Sequence, residues 1–113
     1  MRRLTTPRHE FILDVDPRLW DEFRVTYKQA GKIVLEKCET DSGIRMETIN
    51  TDSETTYKLW FQLTQEETQQ FKPGIKTEVQ IRCHYSNGNA YASEIIPLKV
   101  SDVLNQEILG DED

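Results

Sequence analysis

Hydrophobic and polar positions alternate with a period of two along most of this chain. Phe11, Leu13 and Val15 fall in phase within His9–Val15, and Asp16-Pro17 closes that run. Phe23, Val25 and Tyr27 then alternate with Arg24, Thr26 and Lys28, the pattern of a strand with one wet face. Ala30-Gly31 supplies a tight turn into Ile33–Cys38, and a loop from Glu39 to Gly43 leads to a weaker strand over Ile44–Ile49. After Asn50–Ser53, Tyr57, Leu59, Phe61 and Leu63 share one face of the next run, which leaves Lys58, Trp60 and Gln62 on the other. Thr77, Val79, Ile81, Cys83 and Tyr85 form the cleanest alternation. Asn87-Gly88 predicts a type I′ hairpin turn, and Ala90–Val100 is the returning strand, with Pro97 placing it at an edge or a bulge.

One segment departs from this pattern. Thr64 followed three residues later by Glu67 is a capping box, so a short helical turn is expected there, ended by Pro73-Gly74. Such a strand, helical turn and strand can cross from one sheet of a sandwich to the other. The predicted fold is therefore all-β: a seven-stranded antiparallel β-sandwich, immunoglobulin- or fibronectin-like, with one short helical turn near 64–70. The immunoglobulin signature is incomplete, because no Trp is placed to pack on a Cys pair and Ile81 stands where a corner tyrosine would. The chain divides into an N-terminal arm over 1–8, the sandwich over 9–100 and a C-terminal tail over 101–113. In the tail, Val103, Leu104, Ile108 and Leu109 have helical spacing, but the piece is too short to hold a helix alone.

Size and charge narrow the picture. The 113 residues make one domain, whose large apolar residues are nearly all needed for the core, leaving little for an apolar ligand cavity. A formal net charge of -6 disfavours binding to nucleic acid, which needs clustered Lys and Arg. No apolar run approaches the roughly 20 residues of a membrane span. Met1-Arg2-Arg3 leads into polar residues, so a soluble, cytoplasmic chain is expected, with Cys38 and Cys83 as reduced thiols.

Candidate chemistry is sparse. His9, His84, Cys38 and Cys83 are the soft ligands, and the adjacent pair Cys83-His84 points to opposite faces of one strand, so no metal or other cofactor is expected. No nucleophile elbow, helix-capping Cys or glycine-rich phosphate loop marks a catalytic residue. Glu66 and Glu67 are explained by the cap and the helix dipole. Recognition is expected instead at the solvent-facing Trp60, Arg82 and His84, and at the apolar tail residues Val103, Leu104, Ile108 and Leu109. For a carbohydrate-binding alternative, Trp60 and Tyr91 would form the stacking platform.

Several blocks carry a resemblance. Arg2 with Thr5-Thr6-Pro7, Leu63-Thr64-Gln65-Glu66-Glu67-Thr68, Phe71-x-Pro73-Gly74, Val79-Gln80-Ile81-Arg82 and Val100-x-Asp102-Val103-Leu104-Asn105-x-Glu107-Ile108-Leu109 resemble a family of small phage and prophage proteins of Gram-positive bacteria, encoded among tail and baseplate genes. The match covers both ends and the second half, while Glu39–Thr56 is longer and more polar than the family pattern. The resemblance implies a non-enzymatic structural or accessory virion protein, found in the bacterial cytoplasm during assembly or in the virion. Its implied partners are other tail or baseplate proteins or copies of itself, with no nucleic acid and no membrane. The alternative is a β-sandwich module for carbohydrate or a host surface.

Overall fold

Two antiparallel sheets pack face to face in the computed structural model, which describes residues 1–103 and 108–110. The strands are β1 (Arg8–Leu13), β2 (Glu22–Gln29), β3 (Lys32–Cys38), β4 (Arg45–Asn50), β5 (Thr55–Gln62), β6 (Thr77–His84), β7 (Ala90–Ala92) and β8 (Ile96–Leu98). One sheet has the order β1-β5-β4; the other runs β3-β2-β6-β7, with β8 also paired to β6. A 3₁₀ turn at Pro17–Leu19 joins β1 to β2, and the helix α1 (Gln65–Gln69) lies between β5 and β6. The expected all-β sandwich is what the chain forms.

The alternation seen in the sequence becomes the core. Phe23, Val25 and Tyr27 of β2, Val79 and Ile81 of β6, and Leu59 and Phe61 of β5 are buried against one another, with Leu63, Phe71 and Val100 closing one end. Each large side chain so buried contributes about 1.5–3 kcal/mol by leaving water. Gln29 continues the inward row of β2, and it is buried because its amide is fully used. Its Nε2 donates to the Lys72 carbonyl (2.8 Å) and Thr77 Oγ1 (2.9 Å), while its Oε1 accepts from the Lys72 amide (2.8 Å).

The crossing between the sheets forms as the capping box predicts. Thr64 Oγ1 accepts from the Glu67 amide at 3.1 Å, and Glu67 Oε1 accepts from the Thr64 amide at 2.9 Å. Lys37 of β3 also pairs with Glu67, tying the helix to the opposite sheet.

One turn and one strand differ in detail from expectation. Asn87-Gly88 does not make a type I′ turn, since of the two only Gly88 has a positive φ (94°). Gly88 N donates to Tyr85 O and Tyr85 N to Asn89 O, so the hairpin has a three-residue loop with glycine in the left-handed position. Ala30-Gly31 is the hairpin with positive φ at both positions, 50° and 77°. The returning strand expected over Ala90–Val100 is split in two. Between the pairs Arg82–Ala92 and Val79–Ile96, Gln80 and Ile81 face Ser93, Glu94 and Ile95, one residue more. Ser93 manages this bulge: its Oγ accepts from the Ile81 amide at 3.0 Å, and its carbonyl accepts from Gln80 Nε2 at 2.9 Å. Pro97 sits on this edge, opposite Glu78.

The two ends of the chain are laced together. Arg2 and Ser101 form a parallel bridge, Ser101 N donates to Met1 O, and Arg3 pairs with Asp102 at 2.8 Å. Leu4 and Val100 are buried beneath this bridge. Val103 and Ile108 are half-buried, and Gln65 holds the Leu109 backbone through both its amide atoms. Leu104, part of the expected apolar tail, lies outside the described residues, and Val103, Ile108 and Leu109 are not helical.

These contacts set three outcomes. In urea, Thr64→Ala should cost about 1 kcal/mol through the lost cap, and Phe61→Ala about 3–5 kcal/mol through a core cavity; equal midpoints would contradict the assigned roles. Removing residues 104–113 should leave the thermal midpoint almost unchanged, whereas cutting from Ser101 removes the bridge to Arg2 and should lower it by roughly 5 °C or more. The third concerns pH. His9 is largely buried and accepts or donates one hydrogen bond with the Tyr27 hydroxyl at 2.5 Å, and burial lowers its pKa from 6.5. The unfolded chain therefore takes up a proton that the folded chain resists. Stability present above pH 6.5 should fall as pH drops from there toward the lowered folded value, and His9→Gln should flatten urea midpoints across that window.

Candidate functional site

At the end of the sandwich away from α1, the two sheets do not close on each other. β1 stops at Leu13, while β6 and the hairpin to β7 run on past it. The gap is a groove of about 420 Å³, within the size range of ligand clefts. Its floor is apolar: Leu13, Trp20, Ile81, Cys83 and Tyr85, with Tyr91 standing 60 % exposed as one wall. Asp14, Asn87, Asn89 and Ser93 supply polar groups at its rim. A cavity of this kind was not expected from the composition. It exists because the three-stranded sheet is narrower than its partner and leaves the inward face of β7 uncovered.

Local contacts hold the walls. Asp16 caps the 3₁₀ turn by accepting from the Arg18 amide at 3.0 Å, which delivers Trp20 to the groove. The Trp20 ring packs on Phe23 at 5.8 Å, and its Nε1 donates to the Tyr85 hydroxyl at 3.0 Å. Tyr91 meets Tyr85 edge to face at 5.8 Å. Burial pushes the Cys83 thiol up, so it stays protonated at neutral pH and acts as part of the apolar floor.

The residues singled out from the sequence fall on four separate surfaces. Trp60 lies on the outer face of the three-stranded sheet, in register with Glu10 and Arg45. It is neither bare nor covered by a loop. The Arg8 guanidinium stacks 3.6 Å from its ring centroid, and its Nε1 donates to Glu47 at 3.1 Å. Arg82 and His84 lie on the outer face of the five-stranded sheet, where Arg82 is in register with Arg24 and His84 Nδ1 bonds Asp21 at 2.8 Å. Tyr91 belongs to the groove. Trp60 and Tyr91 therefore cannot act as one stacking platform, since they sit on different sheets. Val103, Ile108 and Leu109 lie at the opposite end, beside α1, with Leu109 72 % exposed.

Cys38 and Cys83 are both free thiols. Cys38 is in register with Arg24 on the outer face, and Cys83 faces inward two strands away. Two strand spacings are about 10 Å, beyond the reach of a disulfide. Among the described residues, no group of three His, Cys, Asp or Glu could hold a metal ion, and no helix is long and apolar enough to cross a membrane.

Sequence reasoning missed Trp20, Tyr85 and Asp14 as site residues. Trp20 follows Asp16-Pro17, a segment read only as the end of a strand. The capped turn there was a usable signal, because Asp before Pro is a helical start as well as a strand stop. The chain matches no family model, no curated protein and no solved structure.

Proposed function

We infer that this protein is a non-enzymatic assembly module of a phage or prophage virion, a structural or accessory part of the tail or baseplate that works by binding another protein chain. The resemblance at both ends and in the second half supports the setting. The observation that carries the mode of action is the apolar groove beside Leu13 and Tyr91, which is lined for contact and holds no catalytic constellation among the described residues. A Tyr exposed in an aromatic groove is the composition of an interface hot spot.

A second reading has its own support. Tyr91 and Tyr85, rimmed by Asp14 and Asn89, offer aromatic faces and polar groups that could seat a sugar. This replaces the Trp60 platform of the carbohydrate alternative.

One experiment separates the two. A photo-crosslinking residue at position 91 in the full chain, expressed in bacteria carrying the complete set of tail and baseplate genes, should join it to one of those proteins. Binding to a glycan array that is lost in Tyr91→Ala, with no protein crosslink, would overturn the assembly reading in favour of the sugar.

A further inference from the structure

Among the described residues no strand covers the outer edge of β1, and the groove lies at the end of that edge. In an immunoglobulin sandwich one sheet runs A-B-E-D and faces C′-C-F-G. Here β1-β5-β4 takes the places B-E-D, and β3-β2-β6 with the β7–β8 edge takes C′-C-F-G. Among the described residues no strand stands at A, beside β1. A parallel bridge between Arg2 and Ser101 lies at the far end of the molecule.

The backbone of β1 shows what the vacant place offers. Pro7 O accepts from Leu63 N, so antiparallel alternation turns the backbone groups of His9, Phe11 and Leu13 toward β5. Those of Arg8, Glu10 and Ile12 then face outward along the open edge. The apolar groove begins where this edge ends, at Leu13, Asp14 and Val15. A ladder of unused backbone groups next to an unfilled apolar slot is the combination that strand addition requires.

We propose that an extended segment of a different protein adds to the free edge of β1 and sets an apolar side chain into the groove between Leu13 and Tyr91. This rests on the assembly reading and gives it a geometry. Charge identifies the occupant's character. Asp14, at the groove rim just past β1, makes no ion pair among the described residues, and the chain carries a net charge of -6. A second copy would bring the same net negative charge, and antiparallel pairing of two β1 edges centred on Glu10 would set Thr6, not a basic residue, opposite Asp14. The donated segment therefore comes from another protein, alternates apolar with polar residues, and places a Lys or Arg against Asp14. Spanning β1 takes about six residues, or roughly 20 Å of strand.

The test uses the full chain and a displayed library of random peptides about a dozen residues long. Selected peptides should show the alternation with a basic residue, and binding should slow hydrogen exchange at the Glu10 and Ile12 amides by about tenfold or more. Ile12 is 60 % exposed, and its amide faces the open edge, so Ile12→Pro should weaken peptide binding at least about tenfold while Ile12→Val leaves it intact. Asp14→Lys should weaken it as well. Peptides that bind Ile12→Pro as tightly as wild type, selected peptides that protect neither amide, or a library that yields no binder in the groove would each overturn strand addition. Those results leave the assembly reading standing if the crosslink from position 91 reaches a tail or baseplate protein. Peptide addition at β1 without any such crosslink would instead remove the virion setting and keep the slot.

Discussion

A tyrosine hydroxyl buried between the sheets fixes much of this structure. Tyr27 is fully buried at the middle of β2, and its ring meets Phe71 edge to face at 5.5 Å. An unpartnered hydroxyl at that depth would cost on the order of 1–3 kcal/mol. His9 of β1 meets the requirement, so the hydrogen bond sets the position of β1 over the five-stranded sheet. Burial, and secondarily the charge of Glu67, holds the Tyr27 phenol far above its ordinary range, so it remains a neutral partner for the imidazole. Phe61 packs against His9 from β5 at 6.1 Å, and β5 leads straight into the cap at Thr64. One buried polar pair thus ties both sheets to the segment that crosses between them.

That crossing is over-determined. Glu67 closes the cap and also pairs with Lys37 of the opposite sheet, while Gln29 clamps Lys72 from β2. The result is one end in which the link is tied to β2 through Gln29 and to β3 through Lys37. At the other end the loops after β1 and β6 are held mainly by Trp20 and Tyr85. The molecule is therefore closed and laced near α1 and open at the groove, an asymmetry that suits a module with one fixed end and one receiving end.

The strands and the capped helix were legible because both are local. Phe23, Val25 and Tyr27 declare their face by spacing alone, and Thr64 with Glu67 declares the helix start. What stayed hidden depends on residues far apart in the chain. Trp60 looks exposed in its own strand and is covered by Arg8, some 50 residues earlier. The bulge at Ser93 depends on its hydroxyl replacing a backbone acceptor for Ile81, which no alternation reports. Asn87-Gly88 marked the hairpin correctly and its turn type wrongly, since the loop gained a residue and needed only Gly88 in the left-handed region. The groove was least legible of all, because it lies at the end of an edge that no strand covers among the described residues.

Exposed apolar residues are scattered over the molecule, among them Ile12, Leu19, Ile33, Ile95 and Leu109, and single ones of this kind are ordinary. The groove differs in that its apolar side chains converge at the end of an edge whose backbone groups have no strand partner among the described residues, so apolar burial and hydrogen bonding can be gained together by one ligand shape. A sugar would gain the first and little of the second along Glu10 and Ile12; a peptide strand gains both. A strand is favoured because leaving backbone donors and acceptors unmet beneath a bound ligand is costly, whereas pairing them adds about 0.5–1.5 kcal/mol each. The strand proposed for this slot draws on both terms.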